Sequence, residues 1–216
     1  MIIEFSGIDG SGKTSQMDRV FRYFNEKGIN CYQRTLRSTY KRILANITTK
    51  RNLKHWSEYY TANEVEIAHA LEMVNAVLTN ITIIKNPNEV IVTDTYIARW
   101  LATARQWDCD NLNRINDIFS LIPKPDLSFH LDVTIDNAYE RINSRAKGDH
   151  VLSFGNKSKL EKYRDSFLDI KDILPYKWHH IATDNVTPED SFETIKKIII
   201  NHLNGSTYEN IKNKIN

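Results

Sequence analysis

The stretch Gly7-Ile8-Asp9-Gly10-Ser11-Gly12-Lys13-Thr14 decides the fold of this chain. Before it, the aliphatic run Met1–Phe5 predicts a short buried strand, and after it the apolar side chains of Ser15–Tyr23 recur on one helical face. A strand, a glycine-rich turn and a helix N-terminus in this order form an anion site, because backbone N–H groups point inward and the helix dipole favours negative charge. The sequence therefore predicts a phosphate-binding loop (P-loop) that binds a nucleotide.

The polar residues of this loop have separate expected tasks. Lys13 is expected to act as a catalytic residue on the β- and γ-phosphates of ATP, and the Thr14 hydroxyl is expected to hold Mg²⁺. The residues of this segment that are expected to bind the donor nucleotide are Gly7, Asp9, Gly10, Ser11, Gly12, Lys13, Thr14 and Ser15. The alternative is an ordinary glycine turn before a helix, but this alternative does not explain why Lys and Thr follow the last glycine.

Composition and charge exclude several classes of protein. The chain has 216 residues, with 29 Lys and Arg against 27 Asp and Glu and a formal net charge of +2. No broad basic face points to nucleic acid, and local groups of cations suit a small polyanion. No apolar run approaches the roughly 20 residues of a membrane span. Because the N-terminus is predicted to enter a core strand directly, we expect no signal peptide. We expect a soluble, cytoplasmic protein in which Cys31 and Cys109 are reduced thiols.

Apolar segments alternate with helical stretches, which is the pattern of a doubly wound parallel sheet in an α/β protein. The predicted strands are Ile2–Ser6, Asn30–Thr35, Glu89–Thr93, Leu127–Val133 and His179–Thr183. We expect one domain over residues 1–205, followed by a polar C-terminal tail at 206–216 that frays.

Two helices are marked most clearly. The segment 63–84 carries apolar residues at roughly helical spacing, and these are predicted to face the core. They are Val65, Ile67, Leu71, Val74, Leu78 and Ile81. The last helix is predicted to follow Thr187 as N-cap, with Pro188 in its first position and Asp190 in the capping-box position, and to end at Gly205.

Residues 146–159 differ from the helical stretches on either side of them. They contain two glycines, several cations and little apolar content. A mobile lid that closes over phosphates needs hinges and positive charge, and this composition provides both. A surface loop is the alternative, and the sequence leaves both open.

Charged residues follow the ends of the predicted strands, where ligands of an open α/β sheet bind. Asp94 follows the third strand and is expected to hold Mg²⁺, with a helix N-cap as the alternative. Arg37 follows the second strand, and Arg99 lies in a helical stretch after Asp94, from which it could reach the cleft. Arg141 and Arg145 share a helix face before the candidate lid, so the ATP triphosphate could lie between them; salt bridges to acidic neighbours are the alternative.

The order of these motifs resembles the thymidylate kinase family of nucleoside monophosphate kinases. The matching pieces are Phe5–Thr14, Val92–Tyr96 and Pro125–Val133, and the likeness extends from Met1 to about Leu203. The resemblance implies a five-stranded parallel sheet of the P-loop kinase type with a short lid. It also implies ATP with Mg²⁺ as donor, a nucleoside monophosphate as acceptor, and a homodimer.

The resemblance assigns further roles to individual residues. Asp9 is expected to face the sugar of the acceptor and to orient the acceptor as a catalytic residue. Arg145, also expected to be catalytic, is expected to clamp the donor phosphates together with Lys147 and Arg141. The residues expected to bind the acceptor are Asp9, Arg37, Thr95, Tyr96 and Arg99.

The sequence departs from the family's pattern on the acceptor side. The family has an arginine for the acceptor phosphate where this chain has Thr95, and a second arginine near Met73 or Val74. The tyrosine that flanks the base in the family falls near Thr103. Each lost charge-assisted contact costs about 1.5–3 kcal/mol. A monophosphate is therefore expected to bind orders of magnitude more weakly, unless other cations such as Arg99 replace the lost ones.

We therefore expect an ATP-dependent kinase that transfers the γ-phosphoryl group to dTMP or another nucleoside monophosphate. The altered acceptor side keeps a second hypothesis open, a thymidylate kinase-like enzyme that acts on a non-nucleotide metabolite in a specialised pathway. A third hypothesis is a regulatory protein that binds ATP without transferring phosphate. A switch NTPase is disfavoured, because the segment 156–159 lacks the aspartate of a guanine-binding Asn-Lys-x-Asp motif.

Overall fold

The computed structural model describes residues 1–79, 86, 88–144, 157–206 and 208–215 of the chain. Five parallel strands form a sheet in the order β2-β3-β1-β4-β5. They are β1 (Ile2–Ser6), β2 (Asn30–Arg34), β3 (Glu89–Thr93), β4 (Leu127–Asp132) and β5 (His179–Ala182). All five predicted strands are confirmed, and three of them, β2, β4 and β5, end one residue earlier than predicted.

β1 lies at the centre of the sheet and is buried along its whole length. Ile3 pairs with Val92 of β3 on one side and with Leu127 of β4 on the other. A strand with neighbours on both sides and helices on both faces has a nearly continuous apolar sequence. In β1 that sequence is interrupted by Glu4 and Ser6, whose side chains both have hydrogen-bond partners.

Helices cover both faces of the sheet, which confirms the doubly wound arrangement. They are α1 (Lys13–Glu26), α2 (Thr39–Lys50), α3 (Ala62–Thr79), α4 (Ile97–Gln106), α5 (Leu112–Phe119), α6 (Ile135–Asn143), α7 (Lys157–Ile170), α8 (Pro188–Asn204) and α9 (Glu209–Ile215), with a short helical turn at Trp56–Glu58. α1, α8 and α9 belong to the apolar cluster that holds Ile3 of β1. α3, α4, α5 and α7 belong to the cluster that holds Ile2. Among the helices described, none is both long and apolar enough to cross a membrane.

The start of α8 has the predicted cap. Thr187 is the N-cap, and its side chain accepts a hydrogen bond of 3.1 Å from the backbone N–H of Asp190. Pro188 takes the first helical position, where a missing N–H carries no cost. The helix ends at Asn204, immediately before Gly205, as predicted.

The buried face of α3 agrees with the predicted one only in part. Val65 and Val74 are buried as predicted, at 0% and 6% exposed. Leu71 and Leu78, which the apolar spacing places in the core, are 54% and 45% exposed. The helix instead buries Glu66 and His69, because Nζ of Lys41 in α2 donates to both carboxylate oxygens of Glu66, at 2.8 and 2.9 Å. The predicted extension of this helix beyond residue 79 lies outside the described residues.

The C-terminal segment forms a helix that packs on the core. In α9, Ile211 and Ile215 are 1% and 8% exposed, within the same cluster as residues of β1 and α8. Just before the helix, the hydroxyl of Tyr208 donates a hydrogen bond of 2.8 Å to Oδ1 of Asp126. The expectation of a frayed polar tail is therefore wrong for residues 208–215. Two isoleucines one helical turn apart anchor a segment that is otherwise polar.

Replacing Ile211 with alanine tests whether α9 belongs to the folded domain. We expect Ile211→Ala to lower the free energy of unfolding by about 2–5 kcal/mol, because the lost side chain leaves a cavity. Ile43→Ala in α2 is the matched control, since Ile43 is 49% exposed, and its expected effect is within about 0.5 kcal/mol. Urea unfolding followed by circular dichroism measures both variants. Equally small losses would show that α9 does not contribute to the core.

Candidate active site

The P-loop follows β1 and packs so closely on its neighbours that two of its positions admit only glycine. Gly7 has a φ of 132°, and a Cβ there would lie 2.2 Å from the carbonyl oxygen of Leu131 in β4. Gly10 has a φ of 83°, and its Cβ would lie 2.6 Å from the carbonyl oxygen of Ala138 in α6. Both contacts are with backbone atoms, which cannot move aside as a flexible side chain can. The loop is thereby held at the carboxyl end of β1.

The N-terminus of α1 faces the loop with donors that fit phosphate. The helix begins at Lys13, and its N-cap is Gly12, which has no side chain to satisfy the first N–H groups. Ser11 Oγ is buried and has no hydrogen-bond partner among the described residues. Inward-facing N–H groups and a buried hydroxyl are the groups that bind phosphate oxygens at a helix N-terminus.

Lys13 is folded over the mouth of the loop. Its Nζ donates a hydrogen bond of 2.7 Å to the carbonyl oxygen of Ile8 and lies 3.9 Å from Oδ1 of Asp9. The Lys13 side chain is 8% exposed, whereas that of Asp9 is 43% exposed and lines a neighbouring cavity. The ammonium group therefore lies beside the loop's phosphate-binding donors, and the Asp9 carboxylate faces the open cleft.

Thr14 and Asp94, the residues that the sequence predicts as ligands of Mg²⁺, each have an oxygen atom of the kind that this ion binds. Thr14 is exposed in the first turn of α1, and Oδ1 of Asp94, just after β3, accepts a hydrogen bond of 3.3 Å from the hydroxyl of Thr35. Asp94 is not the N-cap of α4, because Tyr96 takes that position. In the part of the chain that the structure describes, no group of three or more His, Cys, Asp or Glu could hold a metal ion. One hydroxyl and one carboxylate, completed by phosphate and water, form the usual ligand set of Mg²⁺ at a nucleotide.

Arg141 of α6 joins the P-loop to the end of β5. Its two terminal nitrogens donate to the carbonyl oxygens of Gly10, at 3.3 Å, and Thr183, at 2.6 Å. The guanidinium therefore lies against the phosphate loop, and both of these carbonyl groups orient it there.

The expected lid lies largely outside the described residues. Arg145, Lys147 and the rest of 145–156 belong to that part of the chain. The last residues of the expected lid, 157–159, form the first turn of α7. The clamping roles of Arg145 and Lys147 remain expectations from the sequence.

Arg99 of α4 reaches the cleft on the other side of the P-loop. Its Nη1 donates to Oδ2 of Asp94 at 3.3 Å and to the carbonyl oxygen of the same residue at 3.4 Å. Burial alone would lower the pKa of this guanidinium, but the nearby Tyr163, Asp94 and Asp9 raise it above its ordinary value. The side chain is 35% exposed, so a charged guanidinium beside two aspartates remains accessible to a ligand.

The position of α4 depends on the buried carboxyl group of Glu4. Its Oε1 accepts a hydrogen bond of 2.9 Å from the backbone N–H of Ala98, in the first turn of α4. Its Oε2 accepts from the hydroxyls of Tyr176, at 2.7 Å, and Ser128, at 2.8 Å. Burial raises the pKa of Glu4, and the three hydrogen bonds offset part of that shift. The central strand thus holds the helix turn from which Arg99 extends.

Two residues expected at the acceptor are engaged elsewhere. Thr95 is 7% exposed, and its hydroxyl accepts a hydrogen bond of 2.7 Å from the backbone N–H of Leu36, which ties the segment after β2 to the end of β3. Tyr96 is 3% exposed in the core, and its hydroxyl donates to the carbonyl oxygen of Pro123 at 2.7 Å. Backbone partners engage both hydroxyls, and the roles of the two residues at the acceptor stay expectations from the sequence. Arg37, also expected there, is exposed beyond β2.

Tyr163 of α7 lies in the cleft although no pattern in the sequence marks it. Its hydroxyl is 3.4 Å from Oγ1 of Thr103, the position at which the family pattern has its own tyrosine. Burial raises the pKa of the phenol, and Arg99 opposes that shift. A single tyrosine in a largely polar helix carries no periodic signal, so this contact could not be predicted.

A cavity of about 770 Å³ lies beside Asp9. Its wall includes Tyr163 and three aromatic residues from loops, His55, Trp56 and Trp107. These three residues show no periodic pattern in the sequence. The sequence alone therefore does not reveal that positions 55 and 107 are close in space.

The sequence of this chain is similar to those of known proteins over most of its length. Residues 5–195 match the family model described as thymidylate kinase. The thymidylate kinase of Chlorobaculum tepidum is 28% identical over 189 residues, which cover 86% of this chain and 85% of that protein. The probable thymidylate kinase of Sulfurisphaera tokodaii is 26% identical over 183 residues, 84% of this chain and 86% of that protein. The chain therefore belongs to the thymidylate kinase family and is an ATP-dependent phosphotransferase.

Proposed function

We propose that the protein phosphorylates dTMP, with ATP as the donor and Mg²⁺ as the cofactor. Relatives named thymidylate kinase support dTMP as the acceptor. The observation that carries the proposal is the position of Arg99, a charged and accessible guanidinium beside Asp9 and Asp94. A monophosphate acceptor requires a cation at this place, next to the P-loop and its lysine.

Arg99 supplies the charge that position 95 lacks. In the family's pattern an arginine directly follows the strand-end aspartate, whereas here Thr95 accepts a backbone hydrogen bond. Arg99 lies one helical turn further along, and its guanidinium returns to Asp94. The second arginine of the pattern has no counterpart, because Met73 and Val74 are buried in the core. One planar guanidinium, which can bind two phosphate oxygens at once, therefore holds the acceptor phosphate.

The transfer requires positioning and charge stabilisation more than covalent chemistry by the protein. An oxygen of the acceptor monophosphate attacks the γ-phosphorus of ATP, the bond from that phosphorus to the β–γ bridging oxygen breaks, and ADP leaves. The attacking oxygen is ionised near neutral pH, so no proton has to be removed from it. Lys13 stabilises the negative charge of the transferred group, Arg99 orients the acceptor phosphate, and Asp9 accepts a hydrogen bond from the acceptor's sugar.

The donor phosphates are bound by the loop and by residues that follow it. Mg²⁺, for which Thr14 and Asp94 are the proposed ligands, neutralises phosphate charge when bound. Arg141 lies against the loop at Gly10. Arg145 and Lys147 are proposed to close over the same phosphates, by resemblance to the family.

The exposed face of α3 supports a homodimer. Leu71 and Leu78 lie on the same helical face and are 54% and 45% exposed. The double variant Leu71→Glu/Leu78→Glu is expected to be monomeric in sedimentation velocity, because charges would then face each other across the interface. Leu168→Glu, at a leucine of α7 that is 51% exposed, is the control and is expected to remain dimeric. A monomeric wild-type protein would contradict the dimer.

ADP release from ATP and Mg²⁺ with a panel of acceptors tests the proposed activity. The panel contains the common nucleoside monophosphates, nucleosides and a metabolite extract, and turnover is expected with dTMP. Lys13→Ala is expected to lower turnover at least about 10³-fold, because a charge that stabilises the transition state is lost. Lys50→Ala, at an exposed lysine of α2, is the matched control.

Three other results of this assay would contradict part of the proposal. Activity in the extract alone would replace dTMP with a non-nucleotide acceptor. Tight ATP binding without turnover would indicate a regulatory protein. Unchanged transfer by Lys13→Ala would remove the P-loop lysine from the mechanism.

Arg99→Gln tests the acceptor phosphate site. We expect it to lower kcat/KM for dTMP by about 10- to 100-fold, as the loss of one charge-assisted contact predicts, with little change in the KM for ATP. Arg105→Gln is the matched control on the same helix, because Nε of Arg105 is paired with Asp169 at 2.7 Å. Normal dTMP kinetics in Arg99→Gln would show that another group binds the phosphate.

A further inference from the structure

The cavity beside Asp9 is lined mainly by chain segments that follow β2 and β3. Its volume of about 770 Å³ falls within the range of pockets for small ligands. The segment between α2 and α3, the end of α4 and the start of α7 form its walls. The polar residues among them include Ser57, Thr61, Gln106, Asp108, Lys159 and Lys162.

Three aromatic rings in this wall contact one another, and we call His55, Trp56 and Trp107 the aromatic platform. The His55 ring lies 4.7 Å from the Trp107 ring, nearly parallel to it at 22°, and 4.7 Å from the Trp56 ring at 42°. The two indole rings are 5.2 Å apart and steeply inclined at 63°. Trp107 remains 39% exposed, so part of its ring is available to a ligand.

Hydrogen bonds within the segment that carries His55 and Trp56 fix this part of the platform. The backbone N–H groups of Lys54 and His55 donate to Oε1 of Glu58, at 2.6 and 2.9 Å, and the N–H of Ser57 donates to Nδ1 of His55 at 3.3 Å. Burial lowers the pKa of His55, and Lys159 lowers it further, so its ring is uncharged near neutral pH. A ligand ring that stacks here contacts a surface that is already ordered. Binding therefore costs less conformational entropy than binding to a flexible loop would.

The topology places this cavity on the acceptor side of the loop. On the β4 and β5 side, Arg141 joins Gly10 of the loop to Thr183 after β5. The platform comes from chain segments that follow β2 and β3, on the opposite side of β1 in the sheet. It also shares its cavity with Asp9 and Tyr163, the residues that lie near Arg99.

We infer that the heteroaromatic ring of the acceptor nucleotide stacks on the aromatic platform. The inference rests on the proposed function and adds the part of the site that recognises the ring. With its phosphate at Arg99 and its sugar at Asp9, the acceptor extends its ring into the cavity, whose wall also includes Ser57 and Gln106. The platform selects acceptors with a planar ring, because an aliphatic group gains no stacking with an aromatic face.

Trp107→Ala is the variant that tests this inference. We expect the KM for dTMP to rise roughly tenfold or more, as the loss of a stacking partner for a base predicts, while the KM for ATP stays unchanged. Trp107→Phe keeps a ring and is expected to restore most of the affinity. Tyr59→Ala is the matched control, since Tyr59 is 58% exposed in the same loop but lies over Arg51 instead of in the cavity wall.

Equilibrium binding separates the failure of this inference from the failure of the proposed function. Tryptophan fluorescence, titrated with dTMP and the other common nucleoside monophosphates, is expected to be quenched in the wild type, with a higher dissociation constant in Trp107→Ala. Quenching by monophosphates without any phosphorylation would refute the proposed function and leave the platform supported. Phosphorylation of dTMP with unchanged kinetics in Trp107→Ala would refute the platform alone. If no monophosphate quenches the fluorescence, the platform is also refuted.

Discussion

The close approach of the Gly7 backbone to the carbonyl oxygen of Leu131 is the constraint on which the rest of the structure depends. β1 and β4 are hydrogen-bonded neighbours, and the chain that leaves β1 must pass this carbonyl with no room for a Cβ. This close contact determines the direction of the loop, and with it where α1 starts and where Lys13 lies. The second close contact, between Gly10 and α6, joins the loop to the next helix. The donor side is thus built from backbone packing on the central sheet.

The acceptor side is held by a different kind of interaction. Glu4 bonds the first turn of α4 to the central strand, and Arg99 is held by Asp94 and lies near Tyr163. These are side-chain hydrogen bonds and charges, and their geometry depends on residues that substitution can change one at a time. A family that keeps its donor loop can therefore alter the acceptor pocket without altering its sheet. The proposed use of Arg99 in place of an arginine at position 95 is consistent with this.

Local patterns predicted the strands and the P-loop, because both depend on short runs of sequence and their immediate neighbours. The buried face of α3 could not be predicted in this way, since Glu66 and His69 are buried only because α2 brings Lys41 to them. Arg99 could be identified as a candidate for the acceptor site because it lies in a helical stretch shortly after Asp94 in the sequence. The aromatic platform had no such signal, because its rings come from two loops that tertiary packing brings together.

The buried trio of Lys41, Glu66 and His69 constrains how this chain can evolve. Burial would raise the pKa of Glu66, but His69 and Lys41 together hold it below its ordinary value, so the carboxylate is charged at 1% exposure. Removing one partner of a buried charge costs about 3–5 kcal/mol, a large part of the stability of a domain. The effects of substitutions at the three positions on stability are therefore expected to be coupled instead of additive. The three residues couple α2 to α3 through buried charge, and none of them is among the residues that line the neighbouring cavity.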